Sequence, residues 1–168
     1  MPYAEFVRNA LLARCATADM RIQGNTREET APNEATYYGQ DDGDPYEGNQ
    51  RRADANGGWI ATPTDLVRFG VNVRAAGSVP SILRQETLAV MTTPCPIHPS
   101  YARGWQVDER GNWSHRGGKP GTTSVWVTTP TGLCWAALTN TSRATVNISH
   151  DLDNLMWDLA GIEGAGTT

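Results

Sequence analysis

The sequence predicts an α+β fold: an antiparallel sheet of three to five strands with a C-terminal helix packed on it. Three observations predict it. Between Gly104 and Thr139, short apolar runs are separated by turn residues at 108–112, at Lys119-Pro120-Gly121 and at Pro130-Thr131-Gly132, the pattern of hairpin-joined strands. From about Ala144 to Ala160 the period becomes helical, placing Ile148, Leu152, Leu155, Met156 and Leu159 on one face, which must lie on the sheet. The remaining helical patterns all precede the strands of this meander, and such segregation is the mark of α+β rather than alternating α/β architecture.

In chain order, Pro2 opens a helix to about Ala13, with Tyr3, Phe6, Val7, Ala10 and Leu11 at helical spacing. Residues 24–40 are polar and turn-rich, with Ala35-Thr36-Tyr37-Tyr38 as the one expected strand. A turn at Asp41-Asp42-Gly43-Asp44-Pro45 leads into a polar loop through Arg51-Arg52 to Gly57-Gly58. Thr62, Pro63 and Asp65 form a shortened capping box for a helix whose buried stripe is Leu66, Phe69 and Val73, and Gly77 ends it. A second helix runs from about Arg84 to Met91, stopped by Pro94 and Pro96. The expected strands are then 104–107, 113–117, 123–128 and 133–139. The segments are 1–58 (helix and long loops), 59–98 (helical), 99–140 (meander) and 141–162 (C-terminal helix), all within one domain, as 168 residues favour.

Composition narrows the function. A hydrophobic share of 39% supports a packed core, and a formal charge of −4 recruits neither nucleic acid nor an anionic membrane. No apolar run approaches the roughly 20 residues of a membrane span. Glu5 and Arg8 interrupt what would be a leader's apolar core, so the expectation is a cytoplasmic product without a signal peptide. Cys15, Cys95 and Cys134 are odd in number and widely spaced, which reads as packed free thiols. With His98, His115 and His150 they show no metal-ligand spacing, and Asp41-Asp42-Gly43-Asp44 lacks the alternating acids of a calcium loop. No metal and no cofactor is expected. The six tryptophans read as core and sheet-face packing before any aromatic-ligand platform.

Several short motifs then fall in one order. Tyr101-Ala102-Arg103-Gly104-Trp105 resembles the YGLGW strand of the β-lactamase, penicillin-binding-protein and carboxylesterase superfamily of serine hydrolases. Ser114 through Ser124 (SHRGGKPGTTS) resembles its HxGxxPGxxS segment, with His-x-Gly in place of the Lys-Thr-Gly of the β-lactamases proper, and Leu138-Thr139-Asn140 resembles the turn after its next strand. Residues 57–69 (GGWIATPTDLVRF) are similar to the family's GGxxSTxxDLxRF segment, and residues 19–22 and 31–34 follow the family's order. The resemblance covers nearly the whole chain and implies a partial β-lactamase/transpeptidase-like fold, the C-terminal half of such a hydrolase. Full-length relatives are often periplasmic or secreted.

In that superfamily a Ser-x-x-Lys helix supplies the nucleophile and an amine, a Tyr-x-Asn element supplies a phenol, and a Lys/His-x-Gly strand pairs with substrate and gives one amide to the oxyanion hole. Only the third is found in these residues. Lys119 is the sole lysine and residue 116 is an arginine, so no Ser-x-x-Lys exists, and no tyrosine is followed two residues on by asparagine. The resemblance implies that His115 faces the nucleophile, that Gly117 admits substrate backbone, and that the Gly118 amide completes the oxyanion hole. Arg116, where relatives carry a small residue, points away from the cleft or crowds it. For the isolated chain, the missing elements favour the plainer reading, in which His115 and the glycines keep an inherited strand geometry with no present task.

In complete relatives, N-terminal strands pair beside the strand matching Leu133–Thr139. Here the edge Leu133-Cys134-Trp135-Ala136-Ala137-Leu138 is expected to stand open, which predicts self-association into a homo-oligomer by sheet continuation, or docking of a separately encoded N-terminal half. Two readings follow. One is a truncated, self-associating module, not catalytic alone. The other is the substrate-strand and oxyanion half of a hydrolase of β-lactams, D-Ala-D-Ala peptides or esters, active only with a complementary N-terminal half.

Overall fold

Val125 and Val127 are fully buried on one side of a strand whose other side buries Trp126, and the molecule is arranged around that strand. A computed structural model describes residues 1–41, 43–48, 50–75 and 79–161. The central sheet is an antiparallel meander of four strands in order β4 (Gln106–Val107), β5 (Trp113–Lys119), β6 (Thr122–Thr128) and β7 (Cys134–Thr139). Register pairs His115 with Trp126, Arg116 with Val125, and Gly117 with Ser124. Because strand side chains alternate, His115, Gly117 and Lys119 share the face of Trp126, and Arg116 shares that of Val125.

Each face has its own core. On the first, Trp126 packs with Trp105, Val73 and Leu88 beneath α2 (Pro63–Arg74) and α3 (Gln85–Thr92). Phe69 stacks on Trp105 at 6.1 Å, and the Trp126 indole N–H donates to the Leu66 carbonyl at 3.0 Å. On the second, Val125, Val127 and Trp135 meet Trp157 of α4 (Ile148–Ala160), with Trp135 and Trp157 edge to face at 4.7 Å. At roughly 1.5–3 kcal/mol for each large apolar side chain buried, β6 draws stabilisation from both layers, so its sequence is apolar on both faces at its C-terminal end.

The capping box forms as its spacing predicts. The Thr62 hydroxyl accepts from the Asp65 N–H at 3.1 Å, and the Asp65 carboxylate accepts from the Thr62 N–H at 2.9 Å. That helix ends at Arg74, with Ala75 left-handed at φ 64°; the expected terminator Gly77 lies outside the described residues, as does Asp42 of the expected acidic turn.

Several elements differ from expectation. Helix α1 spans only Tyr3–Ala10 before a 3-10 turn at Leu12–Cys15, and none of its residues is buried. The expected strand at residues 35–38 shrinks to β2 (Tyr38–Gly39), which pairs in parallel with β8 (Thr141–Ser142). A further pair, β1 (Arg21–Ile22) with β3 (Trp59–Ile60), was not foreseen. Helix α4 starts at Ile148, capped by Asn147, because Ala144 N–H and the Thr145 hydroxyl are held by the Asp41 carboxylate instead. Its buried side is turned from the expected one. Leu152, Met156, Trp157 and Ala160 pack on the sheet, while Leu155 and Leu159 are exposed; burying the large Trp157 ring sets the rotation. Cys15 is buried and Cys134 half-buried, but Cys95 is exposed rather than packed. Among the described residues, β7 has β6 as its only strand partner, and no helix is long and apolar enough to cross a membrane.

Candidate functional site: the outer edge of β5

Strand β5 is a central strand for two residues only. Its outer side pairs with β4 at Trp113 and Ser114; from His115 to Lys119 no strand pairs with that side among the described residues. The glycines there behave differently from each other. A Cβ on Gly117 would lie 2.5 Å from the Ser124 hydroxyl, so packing within the sheet accounts for that glycine. A Cβ on Gly118 would meet nothing within 4 Å, so the fold itself does not require a glycine there.

His115 is exposed, and its Nε2 lies 2.9 Å from the Tyr101 hydroxyl, the rings 6.0 Å apart and nearly perpendicular. Arg116 leaves from the opposite face and sets its Nε 3.7 Å from the Asp153 carboxylate of α4. It therefore does not crowd the His115 face. Burial raises the Asp153 carboxyl above the ordinary carboxylate range, with Arg116 pulling the other way.

At the end of the strand, the Lys119 ammonium donates to the side-chain oxygens of Gln23 at 2.5 Å and Gln50 at 2.8 Å. Burial pushes this amine below its usual range, opposed by Glu34. The following turn needs Gly121: its φ is +77° and a Cβ would sit 2.4 Å from Pro45. Its N–H donates to the Ser142 hydroxyl at 2.6 Å. Nearby, burial and a hydrogen bond to Glu34 at 2.9 Å raise the Tyr37 phenol.

All four residues picked out from the sequence, His115, Arg116, Gly117 and Gly118, stand in one strand, and alternation divides them between its faces. Sequence reasoning missed four partners. Tyr101 was visible as the first residue of a motif, but nothing marked its hydroxyl as a partner of His115. Gln23 and Gln50 lie 96 and 69 residues from Lys119, and Asp153 had no signal beyond its place on a helix. Two surface hollows of about 390 and 280 Å³ leave out His115; the larger lies elsewhere, and the smaller is lined by Gly118 and Lys119 at the end of β5 together with Ser142 and Asn147.

The Beta-lactamase family model matches residues 1–154. Among solved structures, a D-stereospecific amidohydrolase from Streptomyces sp. aligns with 84% of this chain at 22% identity and a TM-score of 0.61. The D-amino acid amidase from Ochrobactrum anthropi SV3 aligns with 85% at 22% identity and 0.59. Such likeness establishes the fold. The chain spans 44% and 45% of the length of those two structures, so it corresponds to part of their fold. No curated protein sequence matches it. A family match over nearly the whole chain, on a meander with helices on both faces, leads to one conclusion: the chain belongs to the beta-lactamase family.

Proposed function

We propose that this chain supplies the substrate-pairing strand and oxyanion amide of a serine acyl-transfer site, and does not catalyse by itself. The nucleophile comes from a segment bearing Ser-x-x-Lys and Tyr-x-Asn outside these 168 residues. The substrates are acyl compounds of the kinds the family handles: amides of D-amino acids, as the names of the two structural neighbours suggest, β-lactams, D-Ala-D-Ala peptides or simple esters. The observation that carries the reading is the unpaired β5 edge beside a glycine, Gly118, that internal packing does not require. Backbone pairing to a free strand edge fixes a substrate's acyl group, and one strand amide aimed at the developing oxyanion provides transition-state stabilisation.

The test is complementation. The chain is co-expressed with a nucleophile-bearing N-terminal half, and nitrocefin, p-nitrophenyl esters and D-amino acid amides are assayed. The pair should turn over at least one class, while a fluorophosphonate probe labels no serine of this chain alone. No rate above that of either half removes the reading. A Gly118→Ala chain keeps the N–H and should keep its stability within about 0.5 kcal/mol together with the complemented rate, whereas Gly118→Pro, which removes that donor on an open strand edge, should lose most of the complemented rate.

A second reading is favoured by β7, whose outer edge has no strand beside it among the described residues and whose approach carries exposed Leu133. We propose that this edge pairs with another chain: a second copy when the chain is alone, the nucleophile-bearing half when that is present. Light scattering at micromolar concentration should give more than a monomer mass; a clean monomer removes this second reading and leaves the first.

A further inference from the structure

Tyr101 reaches His115 on a fastened backbone. Its N–H donates to the His98 carbonyl at 3.0 Å, its own carbonyl accepts from the Cys95 N–H at 2.8 Å, and it bridges to Gln106 of β4. The His98 ring lies edge-on against it, centroids 6.0 Å apart. His115 is fixed separately, by its pairing with Trp126 across β5 and β6. Two independently anchored residues thus bring a phenolic oxygen and a ring nitrogen to 2.9 Å, at the first residue of the unpaired edge.

We infer that Tyr101 is a positioning residue that holds His115 in its Nδ1–H tautomer. A phenolic O–H is a stronger acid than the N–H of a neutral imidazole, so in a neutral pair the phenol donates and Nε2 accepts. The hydrogen bond made by one ring nitrogen settles which nitrogen carries the proton, and here it places the proton on Nδ1. This has a consequence for substrate recognition, which rests on the reading that the β5 edge receives the acyl substrate. His115 then presents an N–H donor while uncharged, and the substrate group it selects is an acceptor oxygen, a carboxylate or carbonyl. The opposite tautomer, with Nε2–H donating to the phenol oxygen, would leave Nδ1 a bare acceptor and select a donor such as an amine.

The experiment is a long-range ¹H–¹⁵N correlation of the histidine rings in the full chain, ¹⁵N-labelled and held above the histidine titration range. His115 should show a protonated Nδ1 and a bare Nε2. Tyr101→Phe removes the hydroxyl and keeps the ring. It should lower the Nδ1–H to Nε2–H ratio about three- to tenfold, the net worth of one neutral hydrogen bond, while His150 keeps its pattern. A wild-type His115 protonated on Nε2, or a ratio unmoved by Tyr101→Phe, overturns the inference. The wild-type spectrum decides alone if the variant fails to fold. Because the readout needs no turnover, failure of complementation and failure of this inference are distinct results.

Discussion

Cys134 in β7 turns its thiol to the α2 face of the central sheet, Asp153 of α4 meets the opposite face, and burial pushes both toward their protonated forms. The Cys134 thiol is raised to about 11, so at pH 8 only about a thousandth of it is thiolate. Ellman titration of the folded protein should show exposed Cys95 reacting promptly, with Cys15 and Cys134 reacting only after unfolding. Equal rates for Cys95 and Cys134 would contradict the packing under α2. For Asp153, just above the ordinary carboxylate range, the folded protein still binds a proton that the unfolded chain has released. The contribution of this group to stability therefore falls as pH rises through that window. Asp153→Asn should flatten that part of the stability curve, read from urea midpoints across pH, without lowering stability at pH 7. A loss above about 1 kcal/mol at pH 7 would mean that the ion pair with Arg116 outweighs the cost of burial.

Helix α2 shows how tightly one element is fitted to the sheet. A Cβ on Gly70 would lie 2.7 Å from the Trp126 ring and 2.8 Å from the Cys134 sulfur. Alanine favours a helix over glycine by about 1 kcal/mol, but overpacking a core costs about 1–3 kcal/mol. Gly70→Ala should therefore destabilise by about 1–2 kcal/mol in urea melts, and a stabilised variant would show that the helix can lift freely from β7. The same helix was the most legible part of the sequence, because its cap is local: Thr62, Pro63 and Asp65 specify it within four residues. The meander was legible for a similar reason, its turns and alternation lying close together in the chain. Pairings such as β1 with β3 and β2 with β8 were not, since two-residue strands carry no period and their partners are far away. The rotation of α4 was missed because an apolar count gave Leu155 and Leu159 the same weight as Leu152, and gave no extra weight to the size of Trp157. At the site, the residues of the strand motif could be named in advance, but their hydrogen-bond partners come from loops and helices with no fixed spacing to them.

For the whole molecule, the proposed association through β7 can be examined by substitution as well as by mass. Leu133 stands exposed at the start of the β7 edge, and a lysine there opposes strand addition by its charge and hydration. Leu133→Lys should shift light scattering from oligomer to monomer with an unchanged far-UV spectrum; an oligomer that persists would place the contact elsewhere. The parallel β2–β8 pair has a different consequence. Tyr38 N–H donates to the Asn140 carbonyl at 3.0 Å, and the Thr141 hydroxyl donates back to the Tyr38 carbonyl at 3.1 Å. Together with β1–β3 and the Lys119 ammonium on Gln23, this clasp ties the first forty residues to distant parts of the chain without relying on the covalent backbone between them. A single protease cut between Asp44 and Gly48 should therefore yield two polypeptides that elute as one particle in native buffer and separate only in denaturant.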